Sequence, residues 1–481
     1  MEYTSDDALG WAERLRRREV SARELVTAAA ARIDACNDRL NAVIHRLDPF
    51  EALANLRTDD DAPFAGVPFL FKDELDVAGL PMTMGSKLLR GFRSQESHPV
   101  AQRILAAGFV PIGRTNMSEL GLVPTTEPRA YGPTRNPYDF DTSPGGSSGG
   151  AAAAVAAGMV PVAHAADGGG SIRIPASACG LVGLKPSRGW HPLAPLDPPQ
   201  GFVVQGCVSR TVRDSAAFLE VIHGDSESGR RLRGPELRLD SEPQGKLRFA
   251  YDVTGVLGNR AHPDVRRAVE DTAHVLEALG HSVELARPPL HSEDFAKAFR
   301  VLWCTAAGVF FRRVHQLLLQ KAPEWSRRFL DNDQLFRTAV ALPGRVEPFT
   351  LRMARWQDRL TPVDLWMAEL EFAKAAETMR HWFERYDVWL LPTLMRPPIG
   401  LGELDLRGTE DQVERMLLEY VGWMPLANAT GIPAISVPST PSEKGLPIGV
   451  QMMGPWGRED RLLSVAAQLE RERPWPGIAS V

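Results

Sequence analysis

Between Thr142 and Gly158 the chain reads TSPGGSSGGAAAAVAAG, and from Pro144 onward no side chain larger than valine occurs. Four glycines and two serines lead directly into a run of alanines. Such a stretch has three readings: a flexible linker, a phosphate-cradling loop, or part of a catalytic site that uses the backbone itself. The linker reading is weak, because strand-like and helix-like segments press closely on both sides. The phosphate reading fails in detail: there is no GxxxxGK[ST], and no lysine closely follows either glycine run. GGSSG at 145–149 matches G-x-S-x-G in form, but that motif needs an apolar strand before it and a triad histidine late in the chain. NPYDFDTSP is no such strand, and the last histidine is His381.

The flanking segments alternate between the two regular periods. SARELVTAAAARIDACNDRLNAVI reads as a helix, with Ser21 as N-cap and Glu24 three residues on. GVPFLFKDELDV reads as a buried strand ending near Lys72. PVAQRILAAGFVPIGRTN reads as helix, turn, strand, and MVPVAHAA reads as a strand after the alanine helix. The polar connection 226–246 separates this half from LRFAYDV (strand) and PDVRRAVEDTAHVLEALGHSVELA (helix then strand). Residues 291–385 look mainly helical; YDVWLLPTL reads as a buried strand, and the last segment as strand, hairpin, strand, helix. The expected fold class is therefore α/β. Residues 1–481 are expected to form one domain, with a helical insertion near 291–385.

Composition narrows the partners. Formal net charge is −5, which disfavours a nucleic-acid backbone as the main partner. The four cysteines (Cys36, Cys179, Cys207, Cys304) contain no CxxC, so neither a zinc knuckle nor a disulfide framework is expected. The N-terminus has no apolar signal region, and Ala151–Ala163 is too short to span a bilayer. No membrane span, metal or cofactor is expected, and the location is expected to be cytoplasmic.

In combination, three residues stand out. Ser147 and Ser171 are glycine-flanked and lie 24 residues apart across a helix–strand unit, and Lys72 closes an apolar run. A serine needs a base to become a nucleophile. A desolvated lysine can be that base, because burial disfavours its charge; moving it from about 10.4 to about 7 is worth roughly 4.6 kcal/mol. Backbone N–H groups of glycines can approach a developing oxyanion without interference from a Cβ. Residue types alone leave open the plainer reading, in which the serines are hydrogen-bonded loop residues and the lysine lies at the surface.

Five motifs in order, GVPFLFKDELDVAG, GRTNMSELG, NPYDFDTSPGGSSGGAAAAVAAG, ADGGGSIRIPASACGLVGLKPSRG and NATGIPAISVP, resemble the amidase signature family. The resemblance covers nearly the whole chain and is densest from Gly66 to Gly189, within a signature core at 66–225. It implies a central twisted mixed β-sheet covered by helices on both faces. It also implies a Ser–cis-Ser–Lys triad: Ser171 as acyl-forming nucleophile, Ser147 as bridging serine after a cis bond from Gly146, and Lys72 as base. Gly168, Gly169, Gly170 and Ser171 then supply the oxyanion hole. Gly121 and Leu122 fall on the loop lining the acyl pocket; Cys304 has two readings, a lining residue from the helical insertion, which is expected to shape that pocket, or a small buried apolar residue.

Asp167 and Arg173 are expected to pair and hold the nucleophile loop, Ser148 to hydrogen-bond within its own loop, and Asp73 to be structural. One departure is Ala166, where the family usually has threonine, so a hydroxyl that helps orient the site is missing. DGGGS is similar to the subgroup that includes 6-aminohexanoate cyclic dimer hydrolase. The implied activity is hydrolysis of a small or linear amide through an acyl-enzyme, with a homodimer as one expected assembly. Ester or carbamate hydrolysis by the same serine, or an A-subunit role in a tRNA-dependent amidotransferase, are the competing readings.

Overall fold

A computed structural model of the chain describes residues 3–56, 61–194, 197, 201–224, 245–321, 344–475 and 477–481. All but the end of the polar connection 226–246, and the middle of the helical segment 291–385, lie outside the described residues. The strands are β1 (Val43–Arg46), β2 (Pro68–Lys72), β3 (Val110–Thr115), β4 (Val162–Asp167), β5 (Val182–Lys185) and β6 (Val204–Ser209). They continue with β7 (Arg248–Tyr251), β8 (Ser282–Leu285), β9 (Val388–Pro392), β10 (Ala434–Pro438) and β11 (Gly449–Met453). Among the described residues these eleven form one mixed sheet, in the order β1-β3-β2-β4-β6-β5-β10-β11-β9-β7-β8.

β2 sits inside this sheet, parallel to both β3 and β4. Its five residues are all buried. That suits a strand covered on both faces, where successive side chains enter opposite cores. Phe69 and Phe71 pack in one core with helices Ala8–Arg16, Pro99–Ala106, Val212–Ile222, Pro263–Ala278 and Glu459–Glu472. Leu70 points the other way, into a core shared with helices Ala22–Leu40 and Gly149–Ala156. The second of these helices, GGAAAAVA, is buried on every side. A helix with small side chains all round is suited to that position, because its backbone can lie close to the sheet.

The Ser21–Glu24 capping box forms as read. The helix it starts does not reach Ile44, however. It ends at Leu40, with Asn41 in the left-handed conformation (φ 51°) as its C-cap, and Val43–Arg46 becomes the edge strand β1. Asparagine tolerates that conformation, so the stop signal lies inside the apolar pattern rather than after it. Among the described residues no helix is long and apolar enough to cross a membrane.

Candidate active site

The glycine–serine stretch is a close-packed corner. A Cβ on Gly146 would lie 2.5 Å from the Thr125 carbonyl oxygen, and one on Gly150 2.4 Å from the Asn116 amide nitrogen. Only glycine permits these approaches. The Gly146–Ser147 peptide bond is cis. Thr126 ties the corner together: its Oγ1 donates to the Gly145 carbonyl (2.9 Å) and accepts from the Gly149 amide (3.1 Å).

This corner presents Ser147 to the end of β2. Lys72 Nζ donates to Ser147 Oγ at 2.8 Å, with both residues buried. Nζ also lies 3.5 Å from the Ala166 carbonyl oxygen and 3.1 Å from Glu74 Oε2. Burial pushes the Lys72 ammonium below its ordinary range, against the opposing pull of Glu74 and Asp167. Ser148 bonds to the backbone of Ala166, donating to its carbonyl (3.3 Å) and accepting from its amide (3.4 Å). Asp73 turns away from Nζ and accepts from the Thr83 and Gly85 amides. Burial raises its carboxyl to about 6.

Ser171 lies half-buried at the start of helix Arg173–Ala178, just past the end of β4. The turn before it is fixed by Asp167, the last residue of β4. Arg173 binds that carboxylate with two parallel bonds, Nε to Oδ2 and Nη2 to Oδ1, each 2.9 Å. The same guanidinium reaches Asn428 and the Met424 carbonyl. Burial alone would raise the Asp167 carboxyl, but Arg173, together with Lys185 and Asn428, outweighs it and holds the group at about 2. This pair of fully buried charges fastens the loop to helix Met424–Thr430. Its geometry is the bidentate arrangement in which a buried ion pair is compensated.

Ser171 lines a cavity together with Gly168, Gly169, Gly121 and Leu122. Gly121 joins the two halves of the site, since a Cβ there would fall 3.3 Å from Ser147 Oγ. The apolar walls come from Phe202 and from Phe299 and Trp303 of helix Ser292–Lys321, with Leu417 and Leu418 of helix Glu410–Val421. Arg300 Nη1 bridges these two helices at the cavity wall, donating to Glu414 Oε2 (2.8 Å) and to Asp411 Oδ1 (2.6 Å).

Three sequence expectations differ from this arrangement. Ser148 Oγ bonds to the backbone of Ala166 on β4 rather than within its own loop, because the corner lies against the end of that strand. Gly170 does not line the cavity, and its N–H donates to Asp167 Oδ1 at 2.7 Å, so it is already engaged. Cys304 does not line the cavity either; it packs with Ala307, Phe349 and Met353. The reason is helical geometry: one residue is a turn of about 100°, so Phe299, Trp303 and Ala306 share the cavity face and Cys304 points past it. Sequence reading missed Glu74, Thr126, Trp303 and Arg300. Only the helical spacing of Phe299 and Trp303 carried a signal that could have found any of them.

The chain belongs to the amidase signature family and is a hydrolase of carbon–nitrogen amide bonds: the Amidase family model matches residues 24–463. The 6-aminohexanoate-cyclic-dimer hydrolase of Paenarthrobacter ureafaciens is 37% identical over 488 residues, covering 98% of this chain and 95% of that protein. A solved structure of 6-aminohexanoate cyclic dimer hydrolase complexed with substrate superposes with a TM-score of 0.87 at 34% identity, covering 99% of this chain and 98% of the other. A bacterial aryl acylamidase of the amidase signature enzymes superposes with a TM-score of 0.80 at 26% identity, covering 99% and 98%.

Proposed function

We propose that this chain hydrolyses small or linear amides through an acyl-enzyme on Ser171, with Ser147 and Lys72 as its proton relay. The observation that carries the reading is the buried 2.8 Å bond from Lys72 Nζ to Ser147 Oγ, beside the cavity that Ser171 lines. Ser171 Oγ attacks the amide carbonyl carbon, and its proton passes to Ser147, whose own proton passes to neutral Lys72. The oxyanion is received by the N–H groups of Gly168, Gly169 and Ser171. Lys72 then returns the proton through Ser147 to the departing nitrogen, the C–N bond breaks, and water attacks the acyl-enzyme with the same relay acting as base. Asp167 and Arg173 hold the loop, and no cofactor takes part.

The reading treats residues 1–481 as one domain with the site in its 66–225 core. The helical segment 291–385 contributes Phe299 and Trp303 to the acyl or amine pocket. Those walls favour a largely apolar substrate over one that is charged throughout. The protein is taken to act in the cytoplasm, alone or as a homodimer.

Purified protein assayed against linear and cyclic amides, esters and carbamates tests this. Turnover of at least one amide, with esters also accepted, is the expected outcome. Turnover of esters or carbamates with every amide refused would transfer the function to those substrates. Inactivity that is relieved only by co-purified partner chains would favour the amidotransferase-subunit reading.

A further inference from the structure

Lys72 meets a carboxylate as well as a serine. Glu74 Oε2 lies 3.1 Å from Nζ, with the lysine side chain 1% and the glutamate side chain 14% exposed. The other oxygen, Oε1, is buried and has no hydrogen-bond partner among the described residues. A buried carboxylate oxygen left unpaired is costly, and here the partnered oxygen is directed at the amine proposed as base. The other charged or titratable groups near Lys72 among the described residues make their hydrogen bonds to other partners, though Asp167 still acts on the amine through its charge. Asp73 accepts from Thr83 and Gly85. Arg114 of β3 donates to the Lys72 carbonyl at 3.1 Å and to the Leu75 carbonyl. On β4, Asp167 is paired with Arg173, and the buried His164 bonds to Gln205. Ala166 offers Nζ only a backbone carbonyl, at 3.5 Å.

We propose that Glu74 is a positioning residue that holds the Lys72 amine against Ser147 and sets the pH at which that amine becomes a base. The inference rests on the Lys72–Ser147–Ser171 reading above. Its sign follows from charge: a carboxylate at this distance favours the ammonium form, so it delays loss of the lysine proton to higher pH. Removing the charge lets burial act with less opposition, and the neutral amine then appears at lower pH.

The test uses a fluorophosphonate, which needs no knowledge of the natural substrate. Attack by serine forms the O–P bond, fluoride leaves, and the serine proton goes to the base, so the labelling rate reports the base. Rates are measured across pH for the wild type, Glu74→Gln, Glu74→Asp and Lys72→Ala, each confirmed to be folded by its thermal transition. Glu74→Gln is expected to move the inflection to lower pH by about one unit, equivalent to about tenfold in the neutral fraction of Lys72 well below both inflections. Glu74→Asp keeps the charge but withdraws it by one methylene, and is expected to move the inflection the same way by less. An unshifted inflection in both variants, with or without a lower rate, would reduce Glu74 to a structural role, and a shift to higher pH would overturn the proposal outright. If either glutamate variant does not fold, the other alone decides by the same criterion; failure of both to fold counts as the structural role. A rise with pH that persists in Lys72→Ala would instead discredit the underlying Lys72 reading.

Discussion

Ser171→Ala is expected to lower amide turnover by at least about 10⁴-fold, with the fold unchanged. The size follows from how a covalent mechanism fails. Without the nucleophile no acyl-enzyme forms, and what remains is the catalysis that oxyanion donors and binding supply to a bound water. The fold should persist because Ser171 is half-buried at the cavity wall and its loop is fixed by Asp167 and Arg173. Alanine also fills less space than serine, so no overpacking arises. Steady-state turnover on any amide that the wild type accepts, beside a thermal transition, checks both halves. A variant retaining a tenth of wild-type kcat would remove Ser171 from the reaction.

Lys72→Ala is expected to cost about 10³-fold, in the range that general-base catalysis commonly contributes, and to abolish the pH dependence of kcat/KM. On the proposed mechanism the base is the neutral amine. Burial lowers the affinity of Lys72 for its proton, while Glu74 and Asp167 restore part of it. Activity should therefore be low on the acid side, rise as pH passes through the depressed value, and level off in the alkaline range. Lys72→Arg should not rescue the rate, because guanidinium keeps its proton throughout this range. Lys72→His should recover part of it, with the inflection moved toward about 6.5. The paired profiles of wild type, Lys72→Ala and Lys72→Arg decide the matter. An active arginine variant with the wild-type profile would leave Lys72 a role in charge or packing only.

How far the sequence reaches depends on the range of the interaction that fixes each feature. The capping box at Ser21 and Glu24 is local, and it was readable. So was β2, whose apolar run delivers Lys72 to the sheet interior. The end of helix Ala22–Leu40 was overrun because the apolar pattern continues into β1, and only the backbone of Asn41 marks the break. β5 and β6 were not read as strands, being short buried runs that show no alternation.

Within the site, Lys72, Ser147 and Ser171 were picked out by their setting and the family motifs. Glu74 stayed hidden inside KDELD, where three acidic residues look alike and only the fold turns one of them onto Nζ. Thr126 was invisible for a similar reason, since it acts on Gly145 and Gly149 across a tertiary approach. Cys304 drew notice by residue type, while its neighbour Trp303 holds the cavity position.

The division of labour between the serines is the centre of the proposed mechanism. Ser147 and Ser148 are buried and bonded to Lys72 and Ala166, whereas Ser171 opens onto the cavity beside Gly168 and Gly169. Labelling the wild type with a fluorophosphonate and locating the adduct by peptide mapping separates them directly. The expected result is a single adduct on Ser171, lost in Ser171→Ala and slowed in Lys72→Ala. An adduct on Ser147 or Ser148, with Ser171 unmodified, would contradict the assignment of nucleophile and relay.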